Sequence, residues 1–192
     1  MDHPTLILIR GLPGGGKSYI AVALQQALGE AAAVILDPDK IDLQSKEYRA
    51  LSQALTAEGV DQKFHPYRYL RAQAYAAIEA HQYIIWNQGF TNLDGFQKTV
   101  VNLQTYAADH GTTLPLLVVE VEIPQHVAKA RVAAREQQGG HGVSEEAFVR
   151  FIADYRSFAS EGYNTVTIQG ENPVAASVAT IQDALNELTS PL

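Results

Sequence analysis

Gly11-Leu12-Pro13-Gly14-Gly15-Gly16-Lys17-Ser18 reads GxxxxGKS, a Walker A string, and it decides the fold expected for this 192-residue chain. Thr5 to Ile9, just before it, is an apolar run short enough for a buried strand. Tyr19 to Leu28, just after it, carries apolar residues at helical spacing. Strand, glycine-rich turn and helix are the context that gives the string a mechanism. Bare glycines let the loop wrap with its amide N–H groups pointing at a phosphate chain. The helix adds its unpaired N-terminal N–H groups and its positive dipole end. Gly11, Pro13, Gly14, Gly15, Gly16, Lys17, Ser18 and Tyr19 form the expected nucleotide-binding set. Lys17 is expected on the β- and γ-phosphates and Ser18 on Mg²⁺.

Outward from that loop the chain alternates. Ala33 to Leu36 reads as a second strand, ending in Asp37-Pro38-Asp39. Lys40 to about Leu55 reads as a mixed helix and Glu58 to Phe64 as a loop. A strong helix opens at His65-Pro66 and runs to about Ala80, with Pro66 in its first turn. Tyr83 to Trp86 is the third strand and opens into Asn87 to Asn92. Leu93 to His110 is a helix, Leu114 to Ile123 a strand, and Gln125 to Gln138 a helix broken by Gly139-Gly140-His141-Gly142. Ser144 reads as the N-cap of a helix reaching about Phe158. Tyr163 to Ile168 is the last strand and Pro173 to Leu188 the last helix. The pattern predicts an α/β fold of three layers: five parallel strands, helices on both faces, and a helical lid at about 131–150 in a single domain spanning 1–192. The ligand is expected beyond the carboxyl ends of the strands.

Composition bounds the partners. Apolar residues make up 46% and charged residues 18% of the chain, as in ordinary globular domains. The net charge of −7 argues against a broad nucleic-acid surface. The absence of cysteine excludes disulfides and Cys-based metal sites. No apolar run has the length of a membrane span, and no basic, apolar leader precedes the first strand, so a cytoplasmic location is expected.

Three groups of side chains carry candidate chemistry. Asp37 or Asp39, at a strand tip beside the phosphate loop, could accept a hydroxyl proton or help hold Mg²⁺, or could merely stabilise a helix start. Arg131 and Arg135 share a helix face ahead of the glycine break, as a closing lid over a transferring phosphoryl group requires, although a solvated basic face has the same spacing. Arg68 and Arg71, with Asn87, are candidates for substrate contact, and Trp86 and Phe90 for a pocket wall.

Together GLPGGGKS, the Asp37-x-Asp39 pair and the Arg131/Arg135 to Gly139-Gly140-His141 stretch resemble the P-loop kinases of the zeta-toxin and polynucleotide-kinase type. His65-Pro66-Tyr67 and Gly139 to Glu146 lean toward the zeta-toxin-like branch, with Ser144 where a Pro is common. The resemblance covers about Thr5 to Phe158. It implies ATP/Mg²⁺-dependent phosphorylation of a hydroxyl on a small-molecule or nucleotide-linked substrate. It assigns the catalytic roles to Lys17, Asp39 as base, and Arg135, with Arg131 as alternate, and it admits an antitoxin-like protein partner. Two positions depart from it. Asn87 stands where many relatives carry an acid, and His141 where some offer an arginine. Asn87 keeps a second reading open, an ATP-binding regulatory module without transfer activity. A polynucleotide 5′-hydroxyl kinase is the third.

Overall fold

The computed structural model describes residues 3–140 and 142–189, so His141 lies outside the described residues. Five strands form one sheet: β1 (Thr5–Gly11), β2 (Ala33–Leu36), β3 (Tyr83–Asn87), β4 (Leu116–Glu122) and β5 (Thr165–Gln169). All pairings are parallel and the spatial order is β2-β3-β1-β4-β5. The helices are α1 (Lys17–Leu28), α2 (Lys46–Ala57), α3 (His65–Glu79), α4 (Leu93–Asp109), α5 (Gln125–Gln137), α6 (Glu145–Asp154) and α7 (Val174–Thr189).

Strand alternation divides the core into two layers. Leu6 and Leu8 of β1 face α3 and α4, packing with Leu70, Ala74, Phe96 and Leu103. Ile7 and Ile9 face α1 and α7, packing with Leu24, Ile181 and Leu185. With β1 at the centre of the sheet, every residue from Thr5 to Gly11 is buried. That position also lengthens β1 past the expected Ile9, because Arg10 and Gly11 pair with Glu120 and Val121.

Two expected helices come out shorter. The helix expected from Lys40 begins only at Lys46, after a 3₁₀ turn at Pro38–Lys40. The reason is local: Asp37 accepts from the Asp39 amide, Asp42 from Gln44, and Ser45 caps α2 by accepting from Tyr48. Such side-chain bonds offer the backbone an alternative to helix. The helix capped by Ser144 stops at Asp154 rather than near Phe158. There the Arg156 carbonyl and the Phe158 amide bond to buried charges on the sheet instead.

No helix among the described residues is long and apolar enough to cross a membrane.

Candidate active site

The phosphate loop connects β1 to α1 and lies against the tips of its neighbours. Gly11 and Gly14 have φ of 146° and 83°, and a Cβ on them would sit 2.4 Å from the carbonyl oxygens of Val121 and Ala128 respectively. Only glycine meets both conditions, positive φ and backbone contact. The loop closes with Gly15 N donating to the Leu12 carbonyl, 3.0 Å.

Lys17 folds back over this turn. Its Nζ donates to the carbonyls of Gly11 and Leu12, each at 2.9 Å. Burial lowers its pKa to about 8; Asp37 and Asp39 pull it back up, and Arg135 lowers it further. Both acids and Arg135 therefore lie within electrostatic reach of the Lys17 ammonium.

The order of the sheet builds the next part of the site. Because β3 lies between β1 and β2, its last residue, Asn87, falls between Ser18 and Asp37. The Asn87 Nδ2 donates to Ser18 Oγ at 3.0 Å and to Asp37 Oδ2 at 2.7 Å. Asp37 is buried, and its other oxygen holds the Asp39 amide at 3.0 Å. Asp39 is exposed at the same strand tip. The two acids thus occupy different environments: Asp37 is locked beside Ser18, and Asp39 stands free toward solvent. The acid that β3 lacks at Asn87 is matched by one from β2 a hydrogen bond away. Asn87 Oδ1 is buried and without a partner among the described residues.

The stretch expected as a lid comprises the end of α5, Gly139 and Gly140 after it, and α6. Phe148 anchors α6 on Ile123 and Ala128, and Lys129 pairs with Glu145 across the two helices at 2.5 Å. Arg131 lies over the phosphate loop. Its Nη1 is 3.9 Å from where a Gly16 Cβ would be, and it donates to the Gly170 carbonyl after β5 at 2.9 Å. Arg135 is exposed, and its side chain forms no hydrogen bond or ion pair with the described residues.

The remaining expected site residues fall as follows. Tyr19 is 77% exposed on the first turn of α1. Arg68 is exposed and Arg71 half-buried on α3, which packs on the 3₁₀ turn carrying Asp39. Trp86 is buried in the core, with its Nε1 donating to Gln88, and Phe90 packs on the same layer. A cavity of about 400 Å³ opens between Leu12, the tips of β4 and β5, and Ile152 and Tyr155. It lies at the far end of the strand tips from Asp39. Arg10 and Glu120, a buried ion pair, are missed by motif reasoning. The available signal is a charged residue inside each of two strands that must be covered on both faces.

The fold and this site define a P-loop nucleotide-binding domain of the α/β class. A family profile described as an AAA domain matches residues 6–158, and the chain belongs to that family. No curated protein matches the sequence. Among solved structures the fold is similar to a gluconokinase from Sinorhizobium meliloti 1021, with 16% identity and a TM-score of 0.58 over 98% of this chain and 95% of that one. It is similar to the Mycobacterium tuberculosis APS kinase in complex with AMPPNP and APS, with 16% identity and a TM-score of 0.58 over 97% and 99% of the two chains. It is also similar to the deoxyadenosine kinase of M. mycoides with bound dATP, with 16% identity and a TM-score of 0.55 over 94% and 99%.

Proposed function

We propose that this protein is an ATP/Mg²⁺-dependent kinase that transfers the γ-phosphoryl group to a hydroxyl of a small-molecule or nucleotide-linked substrate. One observation carries the reading. Lys17 and Ser18, Asn87, and Asp37 form a continuous strip across three adjacent strand tips, with Asp39 free at its end. A phosphate loop alone would serve an ATPase equally well; an exposed carboxylate beside it suits a kinase.

The donors present fit Mg²⁺. Ser18 Oγ, the Asp37 carboxylate and the orphaned Asn87 Oδ1 are oxygens, which a hard cation prefers. Mg²⁺ usually takes few protein ligands and completes its shell with water and nucleotide phosphates. That agrees with the absence, among the described residues, of a cluster of three metal-ligating acids or histidines. When bound, the ion would draw negative charge from the phosphates. Ser18 would ligate it directly, and Asp37 and Asn87 would hold its water shell.

The protein's own residues do the rest. Lys17 exchanges its carbonyl partners for the β- and γ-phosphates. Asp39 accepts the proton of the acceptor hydroxyl as the new P–O bond forms. The bond between the γ-phosphorus and the β-bridging oxygen breaks, and ADP departs. Arg135, uncommitted on the lid, supplies positive charge to the phosphoryl group in flight, and lid closure excludes water. Arg131 and Tyr19 flank the nucleotide, and Arg68 and Arg71 stand on the acceptor side. The case for a regulatory module without activity rests on Asn87, and the Asp37 carboxylate beside it supports the kinase reading instead.

The gluconokinase, APS kinase and deoxyadenosine kinase that share this fold suggest the acceptors to try, together with the UDP-linked amino sugar of the zeta-toxin resemblance. Transfer from radiolabelled ATP would be measured to gluconate, APS, deoxyadenosine, a UDP-linked amino sugar and a 5′-hydroxyl oligonucleotide. Asp39→Asn is expected to lower kcat about 100-fold or more on the acceptor that responds. Unchanged turnover would remove Asp39 from the base role. ATP binding without transfer to any acceptor would favour the regulatory module.

A further inference from the structure

Arg10 immediately precedes the phosphate loop and is 0% exposed. Its Nη1 donates to Glu120 Oε1 at 2.5 Å and to the Arg156 carbonyl at 2.6 Å. Its Nη2 donates to the Phe90 carbonyl at 3.1 Å. The rings of Phe158 and Tyr155 lie 3.7 and 4.2 Å from the guanidinium carbon. Glu120 in turn accepts from the Phe158 amide and the Ser157 hydroxyl, each at 2.7 Å.

A buried ion pair is a poor way to gain stability, since an apolar pair of the same volume often does as well or better. The guanidinium does something that apolar side chains cannot. It holds two backbone carbonyls from segments far apart in the chain, and its planar fork sets their relative position. One belongs to Phe90, whose φ of 35° is unfavourable for a bulky residue and persists only where the surroundings impose it. The other lies in the segment by which the lid helix α6 returns to the sheet. Phe151 of α6 also meets this loop, since a Cβ on Gly89 would lie 2.6 Å from its ring.

We infer that Arg10 is a positioning residue that fixes the backbone of 88–92, the acceptor-side loop following Asn87, and ties it to the lid's return segment. The inference rests on the kinase reading for the meaning of "acceptor side", but the fixation itself does not. Loop 88–92 follows directly from the residue that bridges Ser18 and Asp37. Its conformation therefore bears on how an acceptor hydroxyl meets the phosphoryl group.

The test compares wild type with Arg10→Lys and with the double variant Arg10→Met/Glu120→Leu. Lysine keeps the charge facing Glu120 but has no second arm for the Phe90 carbonyl. Amide hydrogen exchange is followed by NMR in the free protein and with AMPPNP, and AMPPNP affinity by calorimetry. Exchange at 89–92 is expected to rise about tenfold or more in both variants, with amides 6–9 of β1 and AMPPNP affinity within about twofold of wild type. On a responding acceptor, its KM is expected to rise about tenfold while KM for ATP holds. Wild-type exchange at 89–92 in Arg10→Lys would overturn the inference. So would a uniform rise across the sheet, or unfolding of both variants, which would mark a purely structural pair. If wild type fails to bind AMPPNP the kinase reading falls, while exchange in the free protein still decides the role of Arg10.

Discussion

Arg10 and Gly11 are neighbours in β1, yet they belong to two sites built on opposite principles. From Gly11 onward the phosphate loop works through its backbone. Its glycines remove side chains so that Val121 and Ala128 can press against it. At Arg10 the side chain does the work, collecting carbonyls and a carboxylate separated by 80 to 146 residues. The loop is local in its own hydrogen bonds, which close between Gly11 and Lys17. The guanidinium cluster exists only when β1, β4, the loop after β3 and the end of α6 have assembled. A local device tolerates change elsewhere in the chain, whereas a long-range one fails when any of its four parts moves.

The contrast can be broken at several points, taken from the largest expected effect down. Lys17→Ala removes the cation that faces the developing charge, and kcat/KM for phosphoryl transfer should fall about 1,000-fold, about 4 kcal/mol. Far-UV circular dichroism should stay that of wild type, because the fold does not rest on that charge. Arg10→Met, with Glu120 left in place, strands a buried carboxylate and should cost about 3–5 kcal/mol in denaturant unfolding. Adding Glu120→Leu should restore most of that loss, and failure to do so would mean that the carbonyl contacts, rather than the ion pair, set stability. Gly14→Ala forces a Cβ against the Ala128 carbonyl at positive φ and should destabilise by about 1–3 kcal/mol while weakening nucleotide binding.

The fourth prediction is a pH dependence. Lys17 loses its proton near pH 8 in the empty site. Phosphates need it charged, so nucleotide affinity should fall as pH rises through 8, by up to about tenfold per unit. Binding at pH 8 to 9 should take up a proton, visible as a dependence of calorimetric enthalpy on the buffer, and Lys17→Ala should abolish that uptake. The stability of the empty protein moves the other way. The folded pKa lies below the ordinary lysine value of 10.5, so the unfolded chain binds more protons between about pH 8 and 10.5. Through this group, stability should therefore rise with pH across that window. The smallest effect belongs to Lys129→Ala. Its pair with Glu145 is 44% and 68% exposed, so unfolding free energy should change by less than about 1 kcal/mol.

Motif and periodicity were enough for the phosphate loop, the alternation of five strands with helices, the Ser144 cap and the break at Gly139-Gly140. Each rests on interactions within a few residues, so the information is adjacent in the chain. The start of α2 was misplaced because apolar spacing competes there with the local bonds of Asp37, Asp42 and Ser45. The end of α6 was misplaced for the opposite reason. The contacts that stop it come from Arg10 and Glu120, more than thirty residues away at the nearest, where Glu120 receives the Phe158 amide. Residue spacing alone does not separate Asp37 from Asp39, because both carboxylates sit on the same turn, and only the family resemblance singles out Asp39 as base. They separate only through burial and the hydrogen bond from Asn87.

By itself, then, the sequence determined that a glycine-rich phosphate-loop motif joins a buried strand to a helix, since glycine conformational freedom and a helix N-terminus act locally. The tertiary structure decided what surrounds that loop. By placing β3 between β1 and β2 it set Asn87 against both Ser18 and Asp37, and by pairing β1 with β4 it set Arg10 on Glu120. Strand order depends on how helices cover both faces of a sheet, and no residue spacing along the chain encodes it.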